Sequence, residues 1–153
     1  MSSSLWGYGM FFNRKLRDTL FASVSAGTLA AASSALGNPL DPTVVAGDVT
    51  ISGTGSDHVI IQNDSMRSVV DWDSFSIGSG ETTSINQIAN DAAILNRVTG
   101  GDISEIYGTL ESNGQVFLIN ENGILIGAGG LVDTGGFVAS TLNVSNADFL
   151  GAG

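Results

Sequence analysis

Gly114-Gln115-Val116-Phe117-Leu118-Ile119-Asn120-Glu121-Asn122-Gly123-Ile124 is followed, after a short apolar run, by Gly135-Gly136-Phe137-Val138-Ala139-Ser140-Thr141. The surrounding stretch, 107–141, repeats itself when slid by 21 residues. Gly108 then falls on Gly129, Leu110 on Leu131, Gly114 on Gly135, Val116 on Phe137 and Phe117 on Val138. Between the copies lies Asn120-Glu121-Asn122-Gly123-Ile124-Leu125-Ile126-Gly127, a turn and then three apolar residues. A period of this length, with short apolar segments between Gly/Asn corners, predicts stacked strand-and-turn coils. One coil cannot bury its own apolar face, so each needs a neighbour above and below. The expected fold is all-β, a parallel β-helix.

Working outward, short β-rich runs are predicted over 43–51, 58–62, 68–77, 82–88 and 92–98. Turn-formers separate them: Gly53-Thr54-Gly55-Ser56-Asp57, Asn63-Asp64-Ser65, Gly78-Ser79-Gly80, Asn90-Asp91 and Gly100-Gly101. In 68–77 the alternation that runs from Val70 onward, through Trp72 and Phe75, breaks phase near Asp73-Ser74, which predicts a bulge or bend. The strands from 43 to 88 are the expected N-terminal cap, since the first coil of a solenoid exposes unpaired edges. Both prolines fall in Asn38-Pro39-Leu40-Asp41-Pro42, read as an extended entry linker. No sustained helical period occurs after residue 37.

Residues 1–37 read as a signal peptide, helical or disordered. The basic Asn13-Arg14-Lys15-Leu16-Arg17 precedes an apolar run over 20–32, then small residues with candidate cleavage after Ala35 or Gly37. The apolar run is short of the roughly 20 residues needed to cross a bilayer, so no stable membrane span is expected. The domain proper is 38–153. At its end, Gly151-Ala152-Gly153, a further coil would be starting, so it is expected to be the front of a longer solenoid.

The chain has 15 acidic and 5 basic residues and no cysteine. Beyond the leader, which takes Asp18, 14 acids face only Arg67 and Arg97, a formal charge of −12. Such a surface repels phosphate backbones, so no nucleic-acid partner is expected. Disulfides and thiolate metal sites are excluded outright.

From about Thr43 to Leu150 the chain resembles the N-terminal secretion domain of the filamentous haemagglutinin family, the exported partners of two-partner secretion in Gram-negative bacteria. The residues that carry the resemblance are Val44-Val45-Ala46-Gly47, Ala93-Ile94-Leu95-Asn96-Arg97-Val98-Thr99-Gly100-Gly101, Ser104-Glu105-Ile106-Tyr107-Gly108-Thr109-Leu110 and the stretch quoted at the outset. The resemblance implies a right-handed parallel β-helix with N-terminal capping strands. It also implies export through the periplasm and a TpsB-type outer-membrane transporter with POTRA domains, to the medium or the bacterial cell surface. Host surfaces or glycans would be met through downstream regions, in the manner of an adhesin. Asn120, Glu121, Asn122, Gly123 and Ile124, with Asn96 and Arg97, become the candidates for transporter recognition. The family's Asn-Pro-Asn-Gly-Ile appears here without its proline, and its upstream Asn-Pro-Asn-Leu is absent, with Asn86-Gln87-Ile88-Ala89 near that place. These departures bear on which transporter accepts the chain.

Other chemistry is weighed beside this. The Asn120-to-Gly123 corner has a purely structural account, because Asn and Gly tolerate positive φ and an Asn amide bonds backbone across a turn. Gly53, Gly55, Asp57 and Val59 fall in phase with one calcium-binding β-roll repeat, yet one copy cannot gather six to eight oxygens. His58 has Asp57 and several serines nearby, but no Gly-x-Ser-x-Gly elbow. Asp71 and Asp73 share a strand face, the pattern of an acid/base pair in a polysaccharide-cleaving β-helix. Gly127-Ala128-Gly129-Gly130 lacks the Lys-Ser/Thr ending of a phosphate loop. The expectation is a non-enzyme without cofactor or metal, with a direct glycan-binding module or a polysaccharide-cleaving enzyme as alternatives.

Overall fold

The structure is a computed structural model, described here for residues 37–151. The expected signal peptide, 1–37, lies outside the described residues up to Leu36, and so does its cleavage candidate at Ala35. Ten strands and one helix follow in order: β1 Leu40–Ala46, β2 Val49–Ser52, β3 His58–Asn63, β4 Arg67–Ser74, β5 Thr82–Gln87, β6 Ala93–Val98, β7 Ser104–Ile106, β8 Thr109–Ile119, β9 Ile124–Ile126, β10 Leu131–Ser140 and α1 Asn146–Gly151. They wind as a right-handed parallel β-helix of about four turns, the hand that parallel crossovers take almost without exception.

Three faces run along the stack. The first carries β3, β5, the opening half of β8 and that of β10, all parallel. On the second lie β4, β6 and the closing halves of β8 and β10. The third is narrower, with Ile77 bridged to Ile106 and β7 paired with β9. β8 serves two faces without a loop, bending at Asn113-Gly114. There one residue of β10, Gly135, stands opposite two of β8. That bulge corrects the 21-residue repeat. Val116 lies beside Phe137 as expected, but ahead of the bulge Leu110 lies beside Val132, 22 residues on, and not beside Leu131. Burial agrees, for Leu110 is fully buried and Leu131 is exposed.

The cap is smaller than 43–88. Only β1 and β2 run antiparallel, β1 against β4 and β2 against β3, while β3, β4 and β5 are already coil. The run over 43–51 is two strands because Gly47 takes φ +90, and a side chain there would strike Ser68. The entry segment is strand from Leu40, with Pro42 beside Trp72. Asn38 is buried, its amide donating to Ser56 O while its Oδ1 accepts from Thr83 Oγ1. That fastens the cap to the second coil.

The core is one column of inward side chains, among them Val59, Ile61, Val70, Trp72, Ile85, Ile94, Leu110, Val116 and Leu118. The phase slip after Trp72 is real. β4 ends at Ser74, and Phe75 turns inward edge-on to Trp72, centroids 5.6 Å apart. A second apolar cluster sits outside the coil on the second face. Val69, Ala93, Leu95 and Ile119 are covered there by Phe149, which meets Phe117 edge-on at 5.2 Å. α1 was not expected from the sequence. Ser145 caps it, accepting the Asp148 N–H and donating to Asp148 Oδ2 at 2.6 Å.

Candidate functional site

β8 ends at Ile119, and the chain then turns the corner from the second face to the third. Asn120 is fully buried there. Its Nδ2 donates to Asp102 O and Ser104 Oγ, both at 2.9 Å, in the coil before. Its Oδ1 accepts the Asn122 N–H at 2.9 Å and Asn122 Nδ2 at 3.1 Å. Its own N–H donates to Ser140 O in the coil after. One residue thus closes its own turn and ties three coils. Asn122 Nδ2 adds a bond to Gly100 O at 2.9 Å. Gly123 sits at φ +124, donates its N–H to Asn120 O and accepts from Ser104 N. That backbone strains any L side chain. Ile124 packs on the core, and Glu121 is exposed.

Asn96 and Arg97 lie on β6, beside Leu118 and Ile119 of β8, just ahead of this corner. The seven residues singled out in the sequence therefore share one region. Asn96 is fully buried, Oδ1 accepting Trp72 Nε1 at 3.0 Å. Arg97 faces outward and holds Asp71 Oδ1 at 3.3 Å. It also donates to Asn143 Oδ1 at 3.0 Å, Val144 O at 2.8 Å and Asn146 Oδ1 at 2.7 Å. Arg67, the other cation of the described residues, lies 5.5 Å from the Phe149 ring centre and donates to Phe149 O. Both arginines thus strap the 143–151 segment to the second face. A cleft of about 320 Å³ remains at the corner, edged by Arg97, Thr99, Gly100, Glu121, Asn122 and Asn143.

Residues 39–152 match the model of the TPS secretion domain. The chain belongs to the TPS secretion domain family. A solved relative is the HMW1 secretion domain of Haemophilus influenzae, with a TM-score of 0.68 and 38% identity over 75% of this chain and 30% of that one. Two curated relatives, both heme/hemopexin-binding proteins of Haemophilus influenzae, are 39% and 34% identical over 97 and 115 residues. These alignments take 63% and 75% of this chain, which spans only 10% and 13% of those proteins.

This TPS secretion domain also places the rival chemistry. His58 Nε2 lies 2.8 Å from Ser84 Oγ, and Ser84 Oγ donates to Glu111 Oε1 at 2.5 Å. The hydroxyl is therefore in the middle. With the hydroxyl donating its hydrogen bond to Glu111, its oxygen is left to accept from the imidazole, the reverse of a base withdrawing a serine proton. Asp71 is engaged by Arg97, while Asp73 is exposed. The Gly53–Asp57 turn is closed by Ser56, which bonds Gly53 O and His58 O. Among the described residues no helix is long and apolar enough to cross a membrane.

Sequence reasoning missed a second polar corner, between the first and second faces. Asn63 Nδ2 donates to Gln87 Oε1 at 3.2 Å, and Gln87 Nε2 donates to Ser112 Oγ and Gln115 O. Asn113 grips the Gln87 backbone with two bonds. The signal was present, for Asn63, Gln87 and Asn113 recur 24 and 26 residues apart, near the 24- to 27-residue spacing of the paired strands in the earlier coils.

Proposed function

We propose that residues 38–153 are the export signal of an adhesin-type exoprotein, recognised in extended form by the POTRA domains of a TpsB-type outer-membrane transporter. The match of residues 39–152 to the TPS secretion domain carries this reading. Strand addition suits it, since main-chain hydrogen bonds give affinity and alternate side chains give specificity. A cysteine-free chain also cannot be cross-linked in an oxidising periplasm before it leaves. Once outside, the cap and first coils nucleate the helix. In the folded corner Asn120 is buried and Asn122, though exposed, is hydrogen-bonded, so both side-chain amides are unengaged for the transporter only while the chain is extended.

The test is secretion. Co-expressed with its cognate barrel, the chain is expected in the medium, and changing Asn120 and Asn122 together lowers its yield. Retention inside the cell with the barrel present, and indifference to both substitutions, would overturn the reading. The same reading makes the domain a non-enzyme without a cofactor, so no turnover is expected on acidic polysaccharides. A second reading follows the names of the Haemophilus relatives: the domain itself would take haem or hemopexin. Titration of the folded domain with haem separates the two, a saturable absorbance change favouring the second.

A further inference from the structure

Asn113-Gly114 and Asn122-Gly123 are the two places in the chain where asparagine precedes glycine. That dipeptide is chemically restless. The glycine nitrogen, with no side chain on its own residue to obstruct it, attacks the asparagine Cγ. The side-chain amide leaves as ammonia and a five-membered imide closes. Water then opens the ring at either carbonyl, leaving aspartate or isoaspartate.

Both pairs lie at corners of one coil, formed by β8 and β9, and both asparagines are exposed, so burial does not shield them. Hydrogen bonding does. Asn113 Nδ2 donates to Gln87 O at 2.8 Å and its Oδ1 accepts from Gln87 N at 2.7 Å, while the Gly114 N–H donates to Ser112 Oγ at 3.2 Å. Asn122 Nδ2 donates to Gly100 O and Asn120 Oδ1, while the Gly123 N–H donates to Asn120 O at 3.1 Å. At each corner the amide that must depart is bonded to a carbonyl of the preceding coil, and the nitrogen that must attack is already donating. We propose that Asn113 and Asn122 are spontaneous deamidation sites of the extended chain, and that stacking of the third coil on the second switches both off.

The product would not fit. An aspartate oxygen in place of either Nδ2 sets acceptor against acceptor at Gln87 O and Gly100 O, and isoaspartate adds a methylene to the backbone of the corner. The reaction therefore marks how long a chain has stayed unfolded, and a marked chain closes this coil poorly. Only the place where that delay occurs, the periplasm, rests on the export reading.

The full chain is incubated at neutral pH folded and in concentrated urea, and each asparagine is followed by peptide mass and isoaspartyl methyltransferase labelling. In urea Asn113 and Asn122 are expected to convert ahead of every other asparagine. Folding is expected to slow both by about tenfold or more, because the corner must first open. Gly123→Ala, compared in urea where folding is irrelevant, should slow Asn122 and leave Asn113 unchanged. Equal rates folded and unfolded, or conversion led by other asparagines, would overturn the proposal. Failure here leaves the secretion assay untouched, since that assay reads transporter dependence and not amide chemistry.

Discussion

Asn120 illustrates how much one side chain can hold in a solenoid. Its amide meets a carbonyl, a hydroxyl and two N–H groups of Asn122, all within 3.1 Å. Asn120→Ala leaves the buried Ser104 hydroxyl without a partner and releases the Asp102 carbonyl. A loss of about 1–3 kcal/mol is expected, read by denaturant unfolding. Trp72→Phe tests the neighbouring bond, because it keeps the aromatic packing and strands Asn96 Oδ1. The expected loss is again about 1–3 kcal/mol, and the doubly changed Trp72→Phe, Asn96→Leu should recover part of it. At this scale the sequence was legible in residue type. Asn-x-Asn-Gly announces a corner, but nothing in it names Ser104 or Gly100 as the partners. Those come from the coil before, 16 and 22 residues away.

Strands were readable where one face is buried and the pattern alternates, as in β3. β6 was read as the run 92–98 but gave no face, because Ala93 and Leu95 are buried on the outer side and Ile94 and Asn96 on the inner. The outer burial comes from α1, whose six residues are too few to show a period. A helix so short owes its existence to docking and not to propensity. Phe149→Ala should therefore free the 143–151 segment. Amide exchange there should rise sharply while β8 keeps its protection, with a cost near or below the ~3 kcal/mol lower end for buried Phe→Ala. Arg97→Gln should give the same local signature, since it severs the bonds to Asn143, Val144 and Asn146 together. Unchanged exchange in both variants would mean that the strap holds by other means.

Across the whole molecule the two dominant facts are the stacking and the charge. From residue 38 on the formal charge is −12, and the only two cations of the described residues are held in the strap. Self-repulsion of that size opposes the compact state and is screened as the Debye length shrinks from about 30 Å at 0.01 M salt to about 10 Å at 0.1 M. The melting temperature is expected to climb over that interval, whereas a flat profile would mean that the carboxylates are too dispersed to matter. The parallel coil architecture was visible in the repeat of 107–141. Its register was not, because a single bulge at Asn113-Gly114 changes the spacing from 22 to 21 within one strand.

That spacing has a mechanical side. Drawn out straight, the 22 residues from Thr109 to Leu131 would reach about 73 Å at ~3.3 Å each, yet wound into the pile they lengthen it by only about 4.8 Å. Coiling therefore reels in chain at roughly fifteen to one. Each completed loop shortens the thread behind it by more than a bilayer's thickness, so a bead wound on one side of a narrow opening is a winch that resists being paid back through it.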